Sequence, residues 1–185
     1  MCGIAGYCGP AGRFSDDRLR AMSRAIEHRG PDDEGYFGGP AGPGRCVWLA
    51  SRRLAIQDLS VAGHQPMSDE ATGNIIVFNG EIYNFQELRT RMERDGAQFR
   101  SRCDTEVALR SWSERGPKVV EQWRGMFAAA VWEPERQELW LLRDPWGIKP
   151  LYYCRDGDGI AFCSEVRGLL AAGVAERRQI GRAHV

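Results

Sequence analysis

The chain has 185 residues, a length that closes one hydrophobic core without staples and leaves no room for a second full domain. Its 25 basic and 25 acidic residues cancel, so no broad field gathers nucleic acid or anionic lipid, and recognition has to be local. No stretch approaches the ~18 apolar residues of a membrane helix, charged residues from Arg13 to Arg20 stand where a signal peptide would be apolar, and the cysteines and histidines show no metal-ligand spacing, so a cytoplasmic protein with reduced thiols, no metal, no membrane and no nucleic acid is expected.

Ile4 to Tyr7 is a short apolar run bounded by glycine and reads as a strand that carries the N-terminus inward. A helix follows, with Ser15 as its cap, Asp16 and Asp17 at its positive end, and Leu19, Met22 and Ile26 on one face before Gly30 and Pro31. Gly38 to Gly44 reads as a loop, and Arg45 to Leu54 returns to strand composition. Ile75 to Phe78 is a strand expected to stop at Asn79-Gly80, a dipeptide suited to a tight turn with exposed N–H groups.

Phe85, Leu88 and Met92 mark a second helix ending near Gly96, and Val107 to Trp112 with Val119 to Trp123 suggest two further helical pieces. Phe127 to Trp132, Glu138 to Leu142, Leu151 to Cys154 and Ile160 to Cys163 are closely spaced runs broken by proline and glycine, the pattern of an antiparallel meander. Helices with strands throughout predict an α+β layered fold, sheets inside and helices outside.

The residue that carries most chemistry is Cys2. It is small enough for Met1 to be trimmed, which leaves one residue bearing both a thiol and a free α-amine. An α-amine titrates at ~7.7 to 8.0, so it can act as the base for its own side chain.

Met-Cys-Gly-Ile-Ala-Gly at the start resembles the opening of class II glutamine amidotransferases, N-terminal-nucleophile (Ntn) hydrolases that release ammonia from glutamine. His28-Arg-Gly-Pro-Asp32, Arg52-Arg-Leu-Ala-Ile56 with Asp58-Leu-Ser60, Asn79-Gly-Glu-Ile-Tyr-Asn84 and Arg143-Asp-Pro-Trp-Gly-Ile-Lys-Pro-Leu-Tyr-Tyr153 are similar to the asparagine synthetase branch, in order and over nearly the whole chain. Cys103 stands where that branch usually has serine, Ala50-Ser51 where it has Gly-His, and Pro145-Trp146 where it has a charged and an aromatic residue; none removes a catalytic group.

The resemblance implies a four-layer α/β/β/α sandwich of two mainly antiparallel sheets. It makes Cys2 the nucleophile and the Asn79 amide with the Gly80 N–H the oxyanion donors, glycine letting the substrate approach closely. Glutamine is a zwitterion, so its carboxylate needs a cation and its ammonium an anion. Arg53, with Arg52 adjacent to it, fits the first role and Asp104, helped by Glu81, the second. Backbone groups of Leu54 and Ile56 are placed against the substrate by the same analogy. The Arg29-Gly-Pro-Asp32 and Arg143-Asp144 segments read as scaffolding.

The expected partners are L-glutamine and a C-terminal synthetase domain, with a homodimer also open. That synthetase domain, with its ATP and Mg, is expected to lie outside this chain, which has no Ser-Gly-Gly-x-Asp-Ser nucleotide loop. Residues 1–179 are expected to form the amidotransferase domain. Residues 180–185, Ile-Gly-Arg-Ala-His-Val, read as foreign sequence, because the sequencing-adapter triplets ATC-GGA-AGA-GCA-CAC-GTC encode them. The alternatives are the glutaminase half of another asparagine-synthetase-like amidotransferase and, if Met1 is retained, a catalytically silent glutamine-binding module.

Overall fold

The computed structural model describes residues 2–55 and 60–177; Ile56, Asp58 and the expected foreign tail lie outside the described residues. In chain order the elements are β1 (Gly3–Pro10), α1 (Asp16–Ala25), β2 (Asp33–Pro40), β3 (Arg45–Arg53), β4 (Met67–Ser68), β5 (Ile75–Ile82), α2 (Phe85–Arg94), α3 (Asp104–Arg115), β6 (Gly125–Glu133), β7 (Glu138–Arg143), β8 (Tyr152–Asp156), β9 (Gly159–Cys163) and α4 (Val166–Ala171). Strands β2-β3-β1-β9-β8 form one sheet and β4-β5-β6-β7 a second. All strand pairings among the described residues are antiparallel.

The alternation of side chains along each strand builds the layers. On β1, Ala5 and Tyr7 face α1 and α4 and pack with Leu19, Met22 and Leu169. Ile4 and Cys8 face the other way, into a core shared with Val77, Ala128 and Ala130 of the second sheet. Phe78, Ile82 and Phe127 pack under α2 and α3 with Leu88, Met92 and Trp112. The order of layers is therefore helix, sheet, sheet, helix, as the resemblance implied.

Helix α1 begins at its expected cap but stops at Ala25, and a separate 3-10 turn, Glu27–Arg29, fills the stretch up to Gly30 and Pro31; α2 ends at Arg94, close to Gly96 as expected. The Ser15 side chain accepts from Arg18 N–H, and the buried Leu19 and Met22 lie on the apolar face of α1. Leu88 and Met92 do the same on α2.

Three expectations are corrected. Asn79-Gly80 is no turn: β5 runs on to Ile82, with Asn79 opposite Ala128 and Gly80 opposite Phe127. A Cβ on Gly80 would lie 2.3 Å from the Met126 carbonyl oxygen and 2.6 Å from Phe127 Cα, so this glycine admits the backbone of β6 rather than the substrate.

The expected meander is two hairpins on different sheets, because β7 pairs with β6 while β9 pairs with β1 and β8. Each run alternates in the same way, and alternation does not say which sheet receives it. Finally, Gly38 to Pro40 belong to β2, which the sequence reading missed. A Cβ on Gly35 would fall 2.0 Å from the Gln65 carbonyl oxygen and one on Gly38 would meet the Trp48 ring at 2.3 Å, so these glycines serve close packing.

Candidate active site

A cavity of about 230 Å³ opens between the two sheets, lined by Cys2, Arg53, Leu54, Asn79, Gly80, Glu81 and Asp104 among others. Every site residue named from the sequence within the described segments is thus brought to one place. Strand alternation explains the convergence. Cys2 precedes β1 in the same parity as the inward-facing Ile4 and Cys8, and Arg53 on β3 shares the parity of Val47 and Leu49, which face the second sheet. Asn79 and Glu81 continue the inward face of Ile75 and Val77 on β5. Arg52 faces the other way, where its Nε donates to Ser23 Oγ at 2.8 Å and its Nη2 pairs with Glu34 at 2.6 Å.

The N-terminal segment is clamped from two sides. Arg29 Nε donates to the Cys2 carbonyl oxygen at 3.0 Å while its Nη1 pairs with Glu165 at 3.0 Å. Ile4 N–H donates to Ser164 Oγ at 2.9 Å, and Ser164 N–H returns to the Ile4 carbonyl at 2.8 Å. Cys2 Sγ sits 3.8 Å from the Leu54 carbonyl oxygen, within reach of a weak S–H bond. Asp32 Oδ2 accepts from Ala55 N–H at 2.9 Å and steadies the end of β3 that carries Arg53 and Leu54. The Arg29 to Asp32 segment is scaffolding, holding the backbone of Cys2 and of Ala55 on the first-sheet side of the cavity.

Hydrogen-bond direction defines the opposite wall. Just past β5 the Tyr83 N–H reaches toward the start of β6 and donates to the Arg124 carbonyl, whereas in β5 the Phe78 and Ile82 N–H groups point away and donate to Gln65 Oε1 and Asp104 Oδ2 at 2.7 and 2.9 Å. Alternation sends the Gly80 N–H away from β6 as well, between those two side chains. Strand β4 covers this edge only at Ile75 and Ile76. Beside it, Asn79 is 1% exposed and its Nδ2 has no hydrogen-bond partner among the described residues. A buried donor left without a partner costs ~1–3 kcal/mol, and this one stands at the wall of the cavity, where an oxygen placed inside could accept from it.

Charge is arranged in two poles. Arg53 is 8% exposed, its Nη1 donates to the Ser60 carbonyl at 3.4 Å, and Gly63 presses so close that a Cβ there would lie 2.2 Å from Nη2. Asp104 opens α3 and is 5% exposed. Burial pushes its carboxyl from 3.8 up to about 6, with Glu81 adding to the rise and the Ile82 and Thr105 N–H groups opposing it.

The sequence reading missed Gly63, Gln65, Phe78, Cys103, Thr105, Met126 and Lys149 as lining residues. Lys149 had a signal, since it stands within the Arg143 to Tyr153 motif; Gln65 and Gly63 had none. Lys149 is delivered by Asp144, whose carboxylate accepts from the N–H groups of Phe127, Trp146, Ile148 and Lys149. Burial opposes ionisation there, yet those four bonds hold the Asp144 carboxyl below its usual value. The described residues contain no cluster of three or more His, Cys, Asp or Glu able to hold a metal ion, and no helix long and apolar enough to cross a membrane.

The arrangement pairs a thiol with buried donors, a cation and an anion in one cavity, and the chain that carries it is similar to known proteins. Asparagine synthetase [glutamine-hydrolyzing] 1 of Bacillus subtilis (strain 168) is 39% identical over 176 residues, covering 93% of this chain and 27% of that protein. Asparagine synthetase [glutamine-hydrolyzing] 2 of the same organism is 37% identical over 175 residues, covering 92% of this chain and 22% of its own length. The chain thus spans about a quarter of the length of these relatives. Among solved structures, the glutamine phosphoribosylpyrophosphate amidotransferase of B. subtilis matches 93% of this chain and 44% of its own, with a TM-score of 0.77 at 16% identity, a likeness of fold. The glutamine amidotransferase domain family matches residues 1–183, so the chain belongs to that family and carries its Ntn-hydrolase fold.

Proposed function

We propose that the cavity hydrolyses the side-chain amide of glutamine to glutamate and ammonia, with Cys2 as the nucleophile. Removal of Met1 frees the α-amine, which takes the thiol proton directly or through a water. The thiolate attacks the carboxamide carbon, and the resulting oxyanion is held by Asn79 Nδ2 and the Gly80 N–H. The α-ammonium returns its proton to the leaving nitrogen and ammonia departs, leaving a thioester. Water then attacks the thioester, its proton passes by the amine to the sulfur, and glutamate is released with Cys2 restored. Arg53 grips the substrate carboxylate while Asp104 and Glu81 receive its ammonium.

The observation that carries this reading is the meeting, in one cavity, of Cys2 with a buried Asn79 Nδ2 that has no partner among the described residues. Intact mass should show the chain ~131 Da lighter by loss of Met1, and Cys2→Ala should abolish glutamate release while keeping the fold. Undiminished turnover by that variant, or full activity with Met1 retained, overturns the assignment.

In the whole protein we propose that the ammonia is delivered to an ATP- and Mg-dependent synthetase domain that converts aspartate to asparagine in the cytoplasm. The names of the relatives support that reading.

A further inference from the structure

The open edge of β5 poses a structural problem. Among the described residues no strand pairs with it from Phe78 onward, so the outward N–H groups of Phe78, Gly80 and Ile82 would all lack a strand partner. Two side chains stand in for the absent strand, Gln65 at Phe78 and Asp104 at Ile82, leaving only the middle donor facing the cavity. Asp104 has a part in substrate recognition. Gln65 has none so far.

Gln65 is 4% exposed and bonded in three directions. Its Oε1 accepts from Phe78 N–H on β5 at 2.7 Å and from Ser51 Oγ on β3 at 3.5 Å, while its Nε2 donates to Thr105 Oγ1 on α3 at 3.4 Å. One carboxamide therefore ties both sheets and a helix together at the wall of the cavity. Its backbone is seated against Gly35, where a Cβ would come within 2.0 Å of the Gln65 carbonyl oxygen.

We propose that Gln65 is the positioning residue of the oxyanion site. It fixes the β5 edge two residues before Gly80, so the Gly80 N–H is aligned before substrate arrives. It does so with a side chain that leaves the next donor uncovered, where a full strand partner would consume it. This inference rests on the glutaminase reading and deepens it.

The test compares Gln65→Leu, which deletes the acceptor, with Gln65→Glu, which keeps an oxygen for Phe78. A misaligned donor costs up to ~10²-fold, so Gln65→Leu should lower kcat about 10- to 100-fold with KM within about threefold. Gln65→Glu should recover most of that loss. Alkylation of Cys2 by iodoacetamide, which needs the thiolate but no oxyanion hole, should proceed at the wild-type rate in both. Thr105→Val, which removes only the Nε2 anchor, should give a smaller kcat loss and serves if Gln65→Leu does not fold.

Wild-type kcat in Gln65→Leu, or in Thr105→Val where the former does not fold, refutes the positioning role. So does a fall in alkylation rate equal to the fall in kcat, which would mean general collapse of the site. A wild-type protein that releases no glutamate sinks the glutaminase reading and this inference together, whereas active wild type with an unimpaired Gln65 variant sinks this inference alone.

Discussion

Replacing Asn79 by leucine should make the protein more stable and nearly inactive. The Asn79 side chain lies on the face of β5 that meets the first sheet, continuing the line of Ile75 and Val77, and its Nδ2 is buried without a partner among the described residues. An unsatisfied buried donor costs ~1–3 kcal/mol, and an apolar side chain of similar length removes that cost at the expense of some misfit in shape. A net gain of about 1 kcal/mol is expected, which for a domain of this size raises Tm by roughly 2–4 °C. The same change deletes an oxyanion donor, worth ~10² to 10³ in kcat or about 2.7–4 kcal/mol of transition-state stabilisation. Thermal unfolding and initial rates of glutamate release measure the two effects on one preparation. A variant that loses about 2 kcal/mol of stability while keeping kcat within about tenfold of wild type would falsify the reasoning, because the amide would then be serving the fold.

Two further outcomes probe the charged poles. Gly63→Ala places a Cβ 2.2 Å from Arg53 Nη2 and 2.8 Å from its Cζ, so the guanidinium must move. Loss of its forked grip on a carboxylate should raise KM for glutamine by about tenfold or more with little change in kcat; an unchanged KM would remove Arg53 from substrate recognition. At the other pole, burial raises the Asp104 carboxyl from 3.8 to about 6. Between those values the folded form holds more protons than the unfolded one, so this residue's contribution to stability grows as pH falls through that window and is lost as pH rises through it. Glutamine binding runs the other way, since the substrate ammonium needs the ionised carboxylate. Affinity of the Cys2→Ala protein for glutamine should weaken as pH drops through about 6, a midpoint set chiefly by burial of Asp104 and raised further by Glu81. A Kd flat from about pH 5 to about pH 8 would show that Asp104 does not receive the ammonium.

Much of this molecule is legible locally. Cys2 advertises itself by its position, α1 by a cap and an apolar face, and α2 by an apolar face, signals that lie within a few residues of one another. The motifs around Cys2, Arg53 and Asn79 are short for the same reason, since each is one strand end or strand segment that contributes a wall of the cavity.

Other features depend on partners distant in sequence. That Arg53 rather than Arg52 enters the cavity follows from which face of β3 meets the second sheet. That Asn79-Gly80 continues a strand follows from pairing with β6, which overrides the turn preference of the dipeptide. The two C-terminal hairpins look alike in sequence and separate only because β9 finds β1.

Gln65 and Gly63 carry no local mark at all. Gln65 acquires its role from an edge N–H left open where β4 ends, and Gly63 from the guanidinium packed against it. Sequence thus determined the chemical groups and most of the elements, because propensity and periodicity act between neighbours. Only the tertiary structure decided which faces meet and which donor stays unpaired, because those are properties of contacts between strands far apart in the chain.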